Sequence, residues 1–188
     1  LMGDAGIDYH FVRSKGVNQQ TLDAAIATRR DTGTLPLTVW SPKRRASVGQ
    51  IYAAARLAQQ KNGLALIAVD YIGLVNADDK RMEHRHQIGE ICRGLREIGQ
   101  QLEVPVIALC QLSRGAESES PRLKHLADSG DIEKHADIVA MLHRTNNRDV
   151  PGETQLIIEK CRHGPGGTIV LNHNGKASLF SDNSQWAY

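Results

Sequence analysis

The stretch NGLALIAVDYIGLV (residues 62–75) holds an unbroken apolar run from Leu64 to Val69 that stops on a carboxylate, Asp70. Successive strand residues point to opposite faces, so a strand this apolar needs cover on both of them. Such runs belong to parallel sheets flanked by helices. VPVIALC (104–110) is a second run of the same kind. Between the two, Ile88, Ile91, Leu95, Ile98 and Leu102 recur at helical spacing. A strand, a crossover helix and a second buried strand form the βαβ unit of an α/β sheet.

The flanking segments extend this pattern. TLDAAIATRRDTG (21–33) reads as a short helix carrying Leu22, Ala25 and Ile26 and stopping at Gly33, and LPLTVW (35–40) as a strand. SVGQIYAAARLAQQKNG (47–63) predicts a helix with Ser47 as its cap, a stripe at Val48, Ile51, Ala55 and Ala58, and Gly63 as its end. NADDKRMEHRH (76–86) lacks periodicity and reads as a mobile loop, and QLSRGAESESPR (111–122) as a loop rich in Ser and Glu. DIVAMLHR (137–144) reads as a strand, TQLIIEKC (154–161) and GTIVLNH (167–173) as a hairpin joined through RHGPG, and KASLF (176–180) as a last short strand. The expected fold class is α/β: a mostly parallel sheet with helices on both faces and a C-terminal β-hairpin, with no internal repeat and no second domain.

Composition narrows the function. A chain of 188 residues suffices for one domain with a real core. A net charge of +2 gives no broad basic field, so any nucleic-acid contact must come from locally placed cations. Cys92, Cys110 and Cys161 are odd in number and contain no C-x-x-C pair, which points to a reducing compartment rather than a disulfide framework or a zinc site. His84 and His86 are the only close histidine pair and read as solvated. No run spans a bilayer.

Ligands of open α/β sheets gather at the carboxyl ends of strands, where Asp70 and Gln111 both fall. A carboxylate there can hold Mg²⁺ through its water shell, and a neutral amide can bond a γ-phosphate or its attacking water without adding charge. The plainer alternatives are a cap for Asp70 and a loop hydrogen bond for Gln111. Lys160 and Arg162 end a strand on one face, where two mutually repelling cations fit an anion between them. The plainer alternative is an exposed basic hairpin blunting a sheet edge. Lys43, Arg44 and Arg45 precede a helix N-terminus and read as solvated. A search for the phosphate loop G-x-x-x-x-G-K-[ST] finds only Gly175-Lys176, followed by Ala177 and lacking the earlier glycine.

Four blocks then carry a resemblance over nearly the whole chain. LIAVDYIGLV, HRHQIGEICRGLREIGQQLEVPVIALCQLSRG, LADSGDIEKHADIVAMLHR and LIIEKCRHGPGGTIVL follow one another in the order and spacing of the DnaB family. These are hexameric replicative DNA helicases of bacteria and their phages, with a RecA-like P-loop NTPase motor domain. The resemblance implies ATP and Mg²⁺ as cofactors, Asp70 as the Walker B aspartate, Gln111 as the γ-phosphate sensor, and Lys160 and Arg162 as groups acting in trans on a neighbour's nucleotide. It implies single-stranded DNA held in a central channel through Arg114 and the loop ending in Asp128, Ser129 and Gly130. It also implies primase and a helicase loader as partners, a cytoplasmic setting in a bacterial or phage-infected cell, and no membrane.

The sequence departs from the family at Ala127, where Arg is usual, at His163, where Asn is usual, and at Cys110, where Ser is common. The family's Walker A segment, catalytic glutamate and primase-contacting domain precede the region matched here. Residues 1–188 are therefore expected to be a partial motor domain, inactive alone. The competing readings are another RecA-like ATPase of recombinase or clock type, a non-catalytic remnant that binds helicase rings, and an α/β domain whose polar strand ends are only caps.

Overall fold

The computed structural model describes residues 19, 23, 26, 36–77, 84–113, 120–126, 129–144, 153–175 and 179–182. They belong to two compact units: residues 38–141 with 158–166, and residues 1–37 with 142–157 and 167–188.

In the first unit, helix α1 (Val48–Asn62) starts at a complete capping box. Ser47 Oγ accepts from the Gln50 N–H at 3.3 Å, and Gln50 Oε1 accepts from the Ser47 N–H at 3.0 Å. Gly63, at φ 75°, ends the helix in a conformation that disfavours side chains. Ile51 and Ala55 are its buried residues. Helix α2 (His84–Leu102) buries the whole expected stripe, Ile88, Ile91, Leu95, Ile98 and Leu102. The two helices approach closely at Gly94, where an added Cβ would stand 2.6 Å from Val48 Cγ1. Gln59 Nε2 donates to the Leu102 carbonyl at 2.9 Å and so satisfies one of the acceptors that a helix end leaves open.

Strand β1 (Ile67–Val69) pairs in parallel with β2 (Val106–Ala108), in the register Ile67↔Val106, Ala68↔Ile107 and Val69↔Ala108. Ile67 joins the core cluster with the α2 stripe, with Val69 and Val106 packed against it. On the other face Leu66, Ile107 and Leu109 are exposed. The short helix α3 (Ser129–His135) follows, with Ile132 buried. Strand β3 (Ile138–Arg144) then alternates, burying Val139 and Met141 and exposing Ile138 and Leu142.

Strand β4 (Glu153–Cys161), the turn 162–166 and strand β5 (Gly167–Asn174) make the expected hairpin. Strand β6 (Leu179–Asp182) pairs antiparallel with β5, and the sheet order is β3-β4-β5-β6. His173 stacks on Phe180 with ring centroids 4.5 Å apart. Among the described residues no helix is long and apolar enough to cross a membrane.

Several local expectations are corrected. Residues 36–40 of LPLTVW are irregular and exposed, and among the described residues no strand pairs with them to supply a ladder. The stretch 76–86 is not loop throughout: α2 starts at His84, and Ala77 is buried. Helix α3 escaped the reading because seven residues are too few for periodicity to emerge. Its charges do mark it, with Asp131 in the first turn and Lys134 in the last, each favourable to the helix dipole. The last strand begins at Leu179, and residues 176–178 of KASLF lie outside the described residues. Of the 21–33 helix, Asp23 and Ile26 are described, and both are helical.

Candidate functional site

Asp70 is the first residue after β1, and Gln111 lies just beyond the end of β2. Parallel pairing brings both exits to one edge of the sheet, and backbone hydrogen bonds fasten them there. Leu109 N–H donates to the Val69 carbonyl at 3.0 Å, and Ile72 N–H donates to the Leu109 carbonyl at 3.0 Å. The backbone of Leu109 is thus held from both sides of Asp70 and Tyr71, whose peptide bond is cis. Beyond Gln111, a bridge pairs Leu112 with Leu126, and Ser113 N–H donates to the His125 carbonyl at 2.7 Å.

Both side chains are exposed. One solvated carboxylate and one neutral amide suit a metal that keeps its waters beside a phosphate. They do not make a protein cage, and no group of three or more His, Cys, Asp or Glu gathers among the described residues.

Lys160 lies in β4 while Arg162 falls just past its end, in the turn, so the two are not on one strand face. Both reach the end of α3, and the oxygens they meet belong to the chain itself. Lys160 Nζ donates to the carbonyls of Glu133 and, at 2.9 Å, Ala136. Arg162 donates through Nε to Asp137 Oδ1 at 2.7 Å and through a terminal nitrogen to the Lys134 carbonyl at 3.4 Å. The physical reason is the C-terminal end of α3, where unsatisfied carbonyls carry partial negative charge and favour cations. Mutual repulsion of the two side chains is relieved by these acceptors, so the pair needs no bound anion to coexist. The turn beneath them is tight: a Cβ on Gly166 would lie 2.5 Å from the Ile158 carbonyl oxygen.

The remaining expected positions divide. Arg114 and Asp128 lie outside the described residues, as does Ala127. Ser129 and Gly130 open α3, and Gly130 is exposed, with open space around it. Lys43, Arg44 and Arg45 are exposed, and the capping box supplies the adjoining helix with its N-terminal partner. Sequence reasoning missed Asp137, the acceptor for Arg162. Its one local signal is a lone carboxylate between the end of a helix and the apolar run of β3.

Residues 1–182 match the family described as DnaB-like helicase C terminal domain. The chain belongs to this family.

The replicative DNA helicase DnaB of Leifsonia xyli subsp. xyli (strain CTCB07) is 35% identical over 190 aligned residues, covering 97% of this chain and 41% of that protein. The replicative DNA helicase DnaC of Bacillus subtilis (strain 168) is 37% identical over 172 residues, covering 82% and 38%. A DnaB-like replicative helicase, solved in a study of its interactions with primase, superposes with a TM-score of 0.85 at 25% identity, covering 97% of this chain and 46% of that one. A separately solved ATPase domain gives the same score and identity, covering 97% and 68%. The fold is therefore RecA-like, as expected, and the chain spans about two fifths of the length of the curated relatives it matches.

Proposed function

We propose that this chain is the greater part of the motor domain of an ATP-driven, ring-forming replicative DNA helicase. The observation that carries the reading is the common edge of Asp70 and Gln111, fastened through Leu109, in a chain of this family. Asp70 holds Mg²⁺ through water, and Gln111 bonds the γ-phosphate or orients the attacking water. The phosphate cradle is not in this sequence, so a complete nucleotide site needs the longer protein typified by the relatives. Lys160 and Arg162 act in trans, stabilising charge on the phosphates bound to the adjacent subunit of a hexamer.

Single-stranded DNA threads the ring and meets Arg114, Asp128, Ser129 and Gly130. Backbone N–H groups and a few cations suffice for phosphate contacts, which agrees with a net charge of only +2. Opening each duplex step costs about 1.4 kcal/mol of stacking, a modest load for a nucleotide-driven motor. Primase is the partner suggested by one solved relative, a loader completes the set, and the work takes place in the cytoplasm.

The test is subunit mixing in the full-length protein. Arg162→Ala removes the trans half of a site and should cost roughly 10³–10⁵ in turnover. Asp70→Asn damages the cis half. Head-to-tail rings of the two variants contain some interfaces with both halves intact, about a quarter in a random equal mixture. Magnesium-dependent ATPase and forked-duplex unwinding should therefore reappear on mixing. Two inactive variants that stay inactive together would refute the trans assignment.

A further inference from the structure

Arg162 is gripped by one residue through both main chain and side chain. Its backbone N–H donates to the Asp137 carbonyl at 2.8 Å, and its Nε to Asp137 Oδ1 at 2.7 Å. The Lys134 carbonyl receives a third bond at 3.4 Å, and Arg96 stands 3.7 Å from the same Asp137 oxygen. The two side chains are 39% and 52% exposed, so water screens their charge and the pair adds little to stability. What the contacts do is geometric. They fix the stem and one side of a planar group that has five N–H donors, and they leave the remainder for an anion.

We propose that Asp137 is the positioning residue for Arg162. It sets the aim of the guanidinium toward the neighbouring subunit's phosphates and touches no substrate itself. This rests on the trans role proposed for Arg162. An arginine free to swing would spread over many rotamers, and each would have to be given up at the moment of reaction. Held at Nε, the side chain presents its far nitrogens in one orientation. The partner need not order it, and Arg96 keeps the carboxylate from turning away.

The experiment uses full-length protein carrying Asp137→Asn, which keeps the shape and removes the charge. Misplacement of about 1 Å can cost 10²-fold, so kcat should fall by roughly that factor while KM for ATP stays within about twofold. A screened surface pair predicts a melting temperature changed by no more than ~4 °C. Asp137→Glu, which restores the charge on a longer stem, should recover part of the loss.

Mixing separates positioning from general damage. Asp137→Asn subunits should regain ATPase with Asp70→Asn subunits, whose trans half is intact, and gain nothing from Arg162→Ala subunits. If Arg162→Ala is rescued by Asp70→Asn but Asp137→Asn is not, Asp137 is merely structural and the proposal is overturned. It is equally overturned if Asp137→Asn turns over within twofold of the parent. If Arg162→Ala and Asp70→Asn fail to rescue each other, the trans reading itself is what fails.

Discussion

The tight turn between β4 and β5 allows a test in which one glycine is needed and its neighbour is not. A Cβ built on Gly166 would lie 2.5 Å from the carbonyl oxygen of Ile158, while one on Gly167 meets nothing within 4 Å. Carbon ordinarily meets a carbonyl oxygen at about 3.3 Å or more, so Gly166→Ala forces an opening of roughly 0.8 Å. The obstacle is backbone and cannot be moved by a rotamer change. Overpacking of this kind costs about 1–3 kcal/mol.

Because Lys160 and Arg162 sit on this same hairpin, the displacement reaches them. A shift approaching 1 Å predicts a loss in kcat of roughly tenfold to 10²-fold in the full-length protein. Hydrogen exchange of the β4 and β5 amides should accelerate by about tenfold or more, since ~1.4 kcal/mol corresponds to one factor of ten. Gly167→Ala should leave both readings where they are. If Gly166→Ala matches Gly167→Ala in exchange and turnover, the close approach at Ile158 is not a constraint and the link from the turn to Arg162 is refuted.

Two further predictions concern the scaffold behind Asp70 and Gln111. Ile91 is 2% exposed at the centre of the α2 stripe, so Ile91→Ala should cost about 2–5 kcal/mol and speed exchange of the α2 amides by at least ~30-fold. The Cys92 thiol is pushed up to about 11, first by burial and then by the nearby Cys110 and Asp131. The folded chain therefore keeps a proton that the unfolded chain releases near pH 9. Stability should be flat below that pH and fall as pH rises toward 11. Melting curves between about pH 8 and pH 10.5 should show the decline, and Cys92→Ala should flatten it.

What the sequence disclosed followed the range of each interaction. The α2 stripe and the Ser47 cap depend on residues within a turn or two, and both appear as read. The edge shared by Asp70 and Gln111 depends on a crossover, but a helix between two buried strands leaves little choice of how they pair. LPLTVW failed for the converse reason. Its β-propensity is local, while a strand exists only when a neighbour supplies hydrogen bonds, and no residue pattern inside the segment states whether one is there. The open face of β1 and β2 at Leu66, Ile107 and Leu109 is invisible for a related reason, since apolar residues look alike covered or not.

Asp137 is the sharpest instance. Its distance from Arg162 along the chain is 25 residues, and the contact exists only because the backbone of Arg162 is hydrogen-bonded to the residue at the head of β3. Side chain and main chain of Arg162 converge on Asp137 because of that pairing, so the carboxylate's role is a product of register. A slip of one position in the pairing would part the Arg162 N–H from the Asp137 carbonyl and carry Nε away from the carboxylate. Arg162 and the carboxylate that holds it are thus specified together by the alignment of the β4–β5 turn against the end of α3. Substitutions that alter that alignment, with every charged residue intact, should abolish turnover as completely as removing the arginine.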